Sequence, residues 1–327
     1  MFGYLRLFLA LLVVSSHLNG VIFKFVDQGR AAVFAFYILA GIVTSKLYFE
    51  IFDKNIKAFL KDRFLRIFPM AWAWLIIAII AIYIVYPENI IFSIPKAIYH
   101  FTIIPLSYFY FLDVQTLREP AALGMNFILP PYFSLGVELQ TYVTLALLLH
   151  FRTIKYLRIA AITSFLGFSY VTSFGLGSAE AEMSFSYVIF TQVFFAFYIG
   201  VLIYFKKNKE LILWYCAIVA LLAFHVIRFS SFGVSPTAQV ALIIFIPIIK
   251  VIYDFREIKL PLNHMLGSLS YVVYLNHMLF IYLIDTDLMK ISFTWQKFIV
   301  VACLSIAAAL PAYYLIEKPL NKIRHVK

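Results

Sequence analysis

The feature that most constrains this chain is the recurrence, from one end to the other, of apolar segments about 20 residues long. A helix rising 1.5 Å per residue crosses a ~30 Å hydrocarbon core in about 20 residues, and it satisfies every backbone polar group internally while doing so. Ten such segments are legible, near 7–24, 31–49, 68–86, 131–149, 157–175, 185–204, 211–229, 236–253, 265–284 and 296–316. Only 13% of the 327 residues are charged, against about 25% in a soluble domain, and the mean hydropathy is +0.93. The expected class is an all-α polytopic membrane protein of about ten transmembrane helices. Residues 1–327 then form a single integral-membrane domain, with almost no room for a soluble one. The first segment also fits the apolar region of a cleaved leader. SSHLNG, 15–20, is a poor small-residue cleavage site, so it is read as a retained helix.

Charge arbitrates the topology. The formal net charge of +11 sits mostly in short loops between the apolar segments, the pattern that orients membrane helices rather than one that binds nucleic acid. With ten crossings and both termini cytoplasmic, 20 of the 27 Lys and Arg fall inside and seven outside. Letting 97–112 cross would move every later basic loop to the other side and erase this asymmetry. Residues 87–130 are therefore expected as one external excursion with a re-entrant or interfacial segment. In 51–66, Ile56, Phe59, Leu60 and Phe64 lie on one helical face with Lys54, Lys57, Lys61 and Asp62 around the rest. That reads as an amphipathic interfacial helix on the cytoplasmic surface. Cys216 and Cys303 lie in apolar segments and give neither a disulfide framework nor metal spacing. No P-loop, zinc, haem or GxSxG motif appears, and no metal is expected.

The polar groups inside these segments are the candidates for function. Arg6 and His17 are 11 residues apart, close to three turns, so they share a face and stand about 16 Å apart along the axis. A neutral imidazole at that depth is a competent general base, or else a core histidine bonded to a neighbouring helix. Ser134 and Glu138 are four apart on one face, and a buried Glu138 needs a partner, such as Arg6 or His17, or a proton. A helix clamp and a catalytic role both fit it. Arg63 and Arg66, three apart at the cytoplasmic end of a span, are placed either to bind phosphates or simply to fix topology. LGSLSYVVYLNHMLFIY, 266–282, concentrates Ser270, Tyr271, Tyr274, Asn276 and His277 in one span. It reads as an interhelical hydrogen-bond network or as a cavity lining. Glu317 and Lys318 read as an anchor at the end of the last span, and His264 lies near a loop with no role.

These motifs, in this order, resemble the membrane acyltransferase-3 family over nearly the whole chain. The Arg6 to His17 spacing is similar to its first-helix signature, and FAFYILAGI (34–42) to its FFxxSGF block. RFLR (63–66) is similar to its RxxR motif and FSLGVE (133–138) to WSLxxE. LGSLSYVVYLNH (266–277) is similar to GxxSYxxYLxH, and IEKP (316–319) to the terminal ERP. Ala40, Phe133 and Lys318 depart from the common serine, tryptophan and arginine.

The resemblance implies an enzyme of the bacterial inner membrane that moves an acyl group, most often acetyl, from acyl-CoA to a hydroxyl. The acceptor it implies is a sugar of a surface polysaccharide, lipopolysaccharide or lipid-linked precursor. Acetyl-CoA would be the co-substrate; the partners would be that glycan and membrane lipid, with no nucleic acid. It further implies a catalytic His17 and Arg63 and Arg66 on the CoA phosphates; the mechanism expected from this sequence has His17 as general base, Arg6 helping to hold the CoA end, and Glu138 orienting His17 or a neighbouring helix. Ser134, Tyr274 or Asn276 would donate to the oxyanion, with His277 lining the cavity. No fused extracytoplasmic esterase-like domain, carried by some members, is expected after the last span. The rival classes are a flippase for a lipid-linked glycan and a relay that passes the acyl group to another enzyme.

Overall fold

A computed structural model describes residues 1–22, 27–118, 126–151, 154–176, 181, 184–228, 236–284 and 294–324. In chain order its longer helices are α1 Phe2–Ser16, α2 Gln28–Lys46, α3 Ile56–Val85, α4 Ile94–Thr102, α5 Tyr132–His150 and α6 Ile154–Phe174. There follow α7 Phe190–Tyr204, α8 Asn208–Arg228, α9 Thr237–Asp254, α10 Asn263–Ile284, α11 Thr294–Ala312 and α12 Lys318–Arg324. Among the described residues there is no strand beyond a single antiparallel bridge between Ile90 and Leu117. Nine helical stretches there are long and apolar enough to cross a membrane, and Phe2–Ser16 is a shorter apolar helix. The protein is an all-α polytopic membrane protein.

The first helix differs from its expected bounds. It starts at Phe2 and stops at Ser16, where a span over 7–24 was expected. The chain turns there because Leu18 and Gly20 both direct their N–H groups at Ser15 O, and Asn19 and Gly20 adopt positive φ of 62° and 68°. Asparagine and glycine tolerate that backbone region best. His17 is consequently the C-terminal cap of α1 and not a mid-helix residue. Of the amphipathic stretch expected over 51–66, the part from Ile56 on is continuous with the span that follows, in one 30-residue helix, α3, which accommodates Pro69; the chain before it turns at Asp53 and Lys54, both of positive φ.

The 87–118 region contains α4, nine residues long, which at about 14 Å falls far short of a bilayer. Ile103 breaks it with a φ of 67°, and a second short turn, Ile104–Tyr108, follows. His100 is fully buried beneath this region. Its Nε2 donates to Val114 O at 3.1 Å, and its ring packs against Phe92 and Phe127.

The chain divides into two compact units. The first is built from Met1–Gly29, Asp62–Gly136 and Lys259–Val326, the second from Arg30–Lys61 and Val137–Ile258. In the first unit α1 lies directly against α10. A Cβ on Gly3 would stand 1.7 Å from Asn263 O, so only glycine permits the crossing. Gly3 N–H donates to Asn263 Oδ1 at 2.8 Å, and Tyr4 OH to Pro261 O at 2.7 Å. Tyr271 of α10 ties to Ile67 O at 2.9 Å, and Tyr132 to Ala71 O at 3.0 Å. In the second unit α2 and α7 touch backbone to backbone, since Cβ atoms on Gly41 and Gly200 would lie 2.0 Å from Phe197 O and 2.1 Å from Ile38 O. Phe34, Phe168, Phe195 and Trp214 pack ring on ring beside that crossing.

Candidate active site

One end of the first unit is a cluster of charges. After α11 the helix widens into a π-turn over Tyr313–Glu317, with Lys318 N–H reaching back five residues to Tyr313 O. Pro319 has no N–H to offer Leu315 O, which favours this wider turn. The turn aims the buried Glu317 carboxylate inward, where it accepts from Arg66 and, at 2.8 Å, from Ser268 Oγ. The Arg66 guanidinium lies 4.7 Å over the Tyr271 ring. A second carboxylate, Asp62, is 0% exposed and takes both Arg63 Nε at 2.8 Å and Arg324 Nε at 3.0 Å. Arg324 also donates to Asn321 Oδ1 at 2.7 Å. Between these groups lies a cavity of about 230 Å³ whose walls include Arg6, Arg66, Arg324, His264, Asn263 and Glu317. Three guanidiniums against one carboxylate make its walls net positive, and guanidinium forks match phosphate oxygens.

The far end of α1 carries a histidine pair. The His17 and His277 rings are 5.3 Å apart between centroids and inclined at 37°. His277 is 0% exposed, with Nδ1 3.1 Å from Val273 O. A carbonyl only accepts, so Nδ1 carries the proton and Nε2 presents a lone pair. That Nε2, and His17 Nδ1, are buried without a hydrogen-bond partner among the described residues. Asp27 acts on His17 electrostatically. Arg6 and His17 sit on one helix, 11 residues apart, so about 16 Å along α1 separates the arginine-walled cavity from the histidine pair.

The remaining expected residues fall as follows. Ser134 Oγ and Tyr274 OH are 2.7 Å apart and both reach Pro131 O, at 3.0 and 3.2 Å. Their two protons are thus committed to each other and to that carbonyl. Asn276 donates to Ser305 O at 3.1 Å, while its Oδ1 is buried without a hydrogen-bond partner among the described residues. Of the polar residues of 266–282, Ser268, Tyr271, Tyr274 and Asn276 bond outside their own helix, while Ser270 and His277 bond back to Gly267 O and Val273 O. Glu138 belongs to the second unit and takes a hydrogen bond from Tyr142, one turn along its own helix. Arg63 does not wall the cavity; it is held on Asp62. Arg324 and His264 were not anticipated. For Arg324 the one signal was its seven-residue spacing from Glu317, two turns along one face. Among the described residues no group of three His, Cys, Asp or Glu is arranged to hold a metal.

An integral membrane helical protein with a histidine pair, one ring buried and the other half-buried, joined by one helix to a cationic cavity, has the ingredients of a group-transfer enzyme. The family comparison is specific. The model described as the acyltransferase domain of acyltransferase family 3 matches residues 2–317, and the chain belongs to this family of membrane acyltransferases. No curated protein and no solved structure matches it.

Proposed function

We propose that the protein is an acyl-CoA-dependent O-acyltransferase of the bacterial inner membrane, with both termini cytoplasmic. It moves an acyl group, acetyl by family expectation, to a hydroxyl of a cell-surface glycan or its lipid-linked precursor. The observation that carries this reading is the placement of the arginine-walled cavity and His17 at opposite ends of α1. Arg6, Arg66 and Arg324 hold the anionic phosphates of CoA from the cytoplasmic side. Arg63 contributes through Asp62, which it shares with Arg324. The extended pantetheine arm spans the roughly 16 Å along α1 and delivers the thioester to His17. The acceptor hydroxyl reaches the same point from the other side. His17 takes its proton as the oxygen attacks the thioester carbonyl. The carbon–sulfur bond then breaks, and the proton passes to the departing thiolate. Glycan and membrane lipid are the partners, and the chain's own residues suffice without a metal.

The test is binding. Charge-assisted hydrogen bonds contribute roughly 1.5–3 kcal/mol each, so Arg66→Ala and Arg324→Ala should each weaken CoA binding to the purified protein by about 10- to 100-fold. Pantetheine, which lacks the phosphates, should bind poorly to wild type and be insensitive to both changes. CoA affinity unaltered in two folded variants would reject this cavity as the donor site. A flippase for a lipid-linked glycan, the rival class, predicts no CoA binding at all.

A further inference from the structure

We infer that His277 is a positioning residue for His17, in the place that a carboxylate holds in the usual histidine dyad; this rests on the acyl-transfer reading above. A histidine that removes a proton with one ring nitrogen needs its other N–H held in a fixed direction, and needs the positive charge it acquires to be shared. In soluble enzymes a buried aspartate does both. Here the group beside the His17 ring is a second imidazole, 5.3 Å away between centroids. An N···N hydrogen bond of about 2.9 Å between two such rings requires about that separation.

The tautomer is also the required one. His277 Nδ1 is committed to Val273 O on its own helix, so its free nitrogen, Nε2, is an acceptor. It is buried and has no hydrogen-bond partner among the described residues, as is true of His17 Nδ1. Two buried nitrogens left unsatisfied on adjacent rings, one ring buried and the other half-buried, are costly unless they serve one another at some stage. A modest rotation of the His17 ring, which as the cap residue of α1 lies outside the regular helix, joins them. His17 Nδ1–H then donates to His277 Nε2. The opposite nitrogen of His17 receives the hydroxyl proton during attack and returns it to the thiolate sulfur. His277 is neutral throughout and neither gains nor loses a proton. A neutral partner adds no further charge to a site on which the Asp27 carboxylate already acts.

The experiment compares His277→Phe, which keeps a packed ring but has no acceptor, with His277→Gln, whose side-chain oxygen can accept the same hydrogen bond. Wild-type CoA release in the presence of acceptor is measured first, since its absence would dispose of the acyl-transfer reading and not of this one specifically. With that activity in hand, His277→Phe should lower kcat by about 10²- to 10³-fold with KM for acyl-CoA within about twofold of wild type. His277→Gln should recover at least tenfold of that loss. A kcat for His277→Phe within threefold of wild type would overturn the inference. So would equal losses in both variants with a raised KM, which would mark His277 as a packing residue.

Discussion

Asp62 offers the sharpest energetic test of the charged cluster. Its carboxylate is 0% exposed, and the two side chains it binds, Arg63 and Arg324, are 6% and 8% exposed. Replacing it by alanine removes no packing of consequence but leaves two guanidiniums facing each other in a buried site. Deleting one partner of a buried ion pair costs about 3–5 kcal/mol, and the shared geometry here puts Asp62→Ala toward the upper part of that range. That corresponds to a change of roughly 10³-fold or more in the unfolding equilibrium and a fall in Tm on the order of 10 °C. The comparison is Asp113→Ala, whose ion pair with Lys96 is 3.0 Å long but whose carboxylate is 72% exposed; exposed pairs contribute about 0–1 kcal/mol. Thermal unfolding of the detergent-solubilised protein, followed by tryptophan fluorescence, measures both. Adding Arg63→Met to Asp62→Ala should restore part of the loss, because one of the two stranded cations is gone. Equal Tm values for Asp62→Ala and Asp113→Ala would refute the reasoning.

Other outcomes follow from the same geometry. Gly3→Leu should drive α1 off α10, since even a Cβ would meet Asn263 O at 1.7 Å; a strained crossing of this kind costs about 1–3 kcal/mol or more, read as a lowered Tm together with weakened CoA binding through displaced Arg6. Ser134→Ala removes one hydrogen bond to Tyr274 and should cost about 1 kcal/mol of stability with kcat little changed, read by thermal unfolding and turnover on the same sample. Burial, the largest influence on His100, pushes its pKa down to about 4. Unfolding the 87–118 region would let it bind a proton below its ordinary value of about 6.5, so its stability contribution is complete above that pH and is lost as pH falls toward 4, by roughly 3 kcal/mol. Amide hydrogen exchange in 94–118, corrected for the intrinsic pH dependence, should show that loss between pH 7 and 4.5, and His100→Phe should remove it.

The fold class was legible because a bilayer imposes one demand on every segment at once: about 20 apolar residues with internally satisfied backbone. The first helix was misplaced at its far end because apolarity continues through Leu18 and Val21 while the backbone has already turned on Asn19 and Gly20. Arg66 and Arg6 were both expected on the CoA phosphates, and they wall one cavity; the spacing within each helix fixes a face but not the approach of one helix to the other. Arg63 was not separable from Arg66 by spacing alone; the adjacent Asp62 captures it. Arg324 reaches Asp62 across 262 positions of sequence, and His17 meets His277 across a similar gap. Such pairings depend on how closely two helices approach, which for α1 and α10 rests on Gly3 against Asn263, and no periodicity within either segment encodes that distance.

The most direct test of the central claim uses purified protein with acetyl-CoA labelled in its acetyl group, and a lipid-linked or surface glycan extract as acceptor. Wild type should release free CoA and place label in the glycan, and a folded His17→Ala variant should bind CoA normally but transfer about 10²- to 10⁴-fold more slowly. Label transfer at the wild-type rate by His17→Ala would contradict the account at its centre.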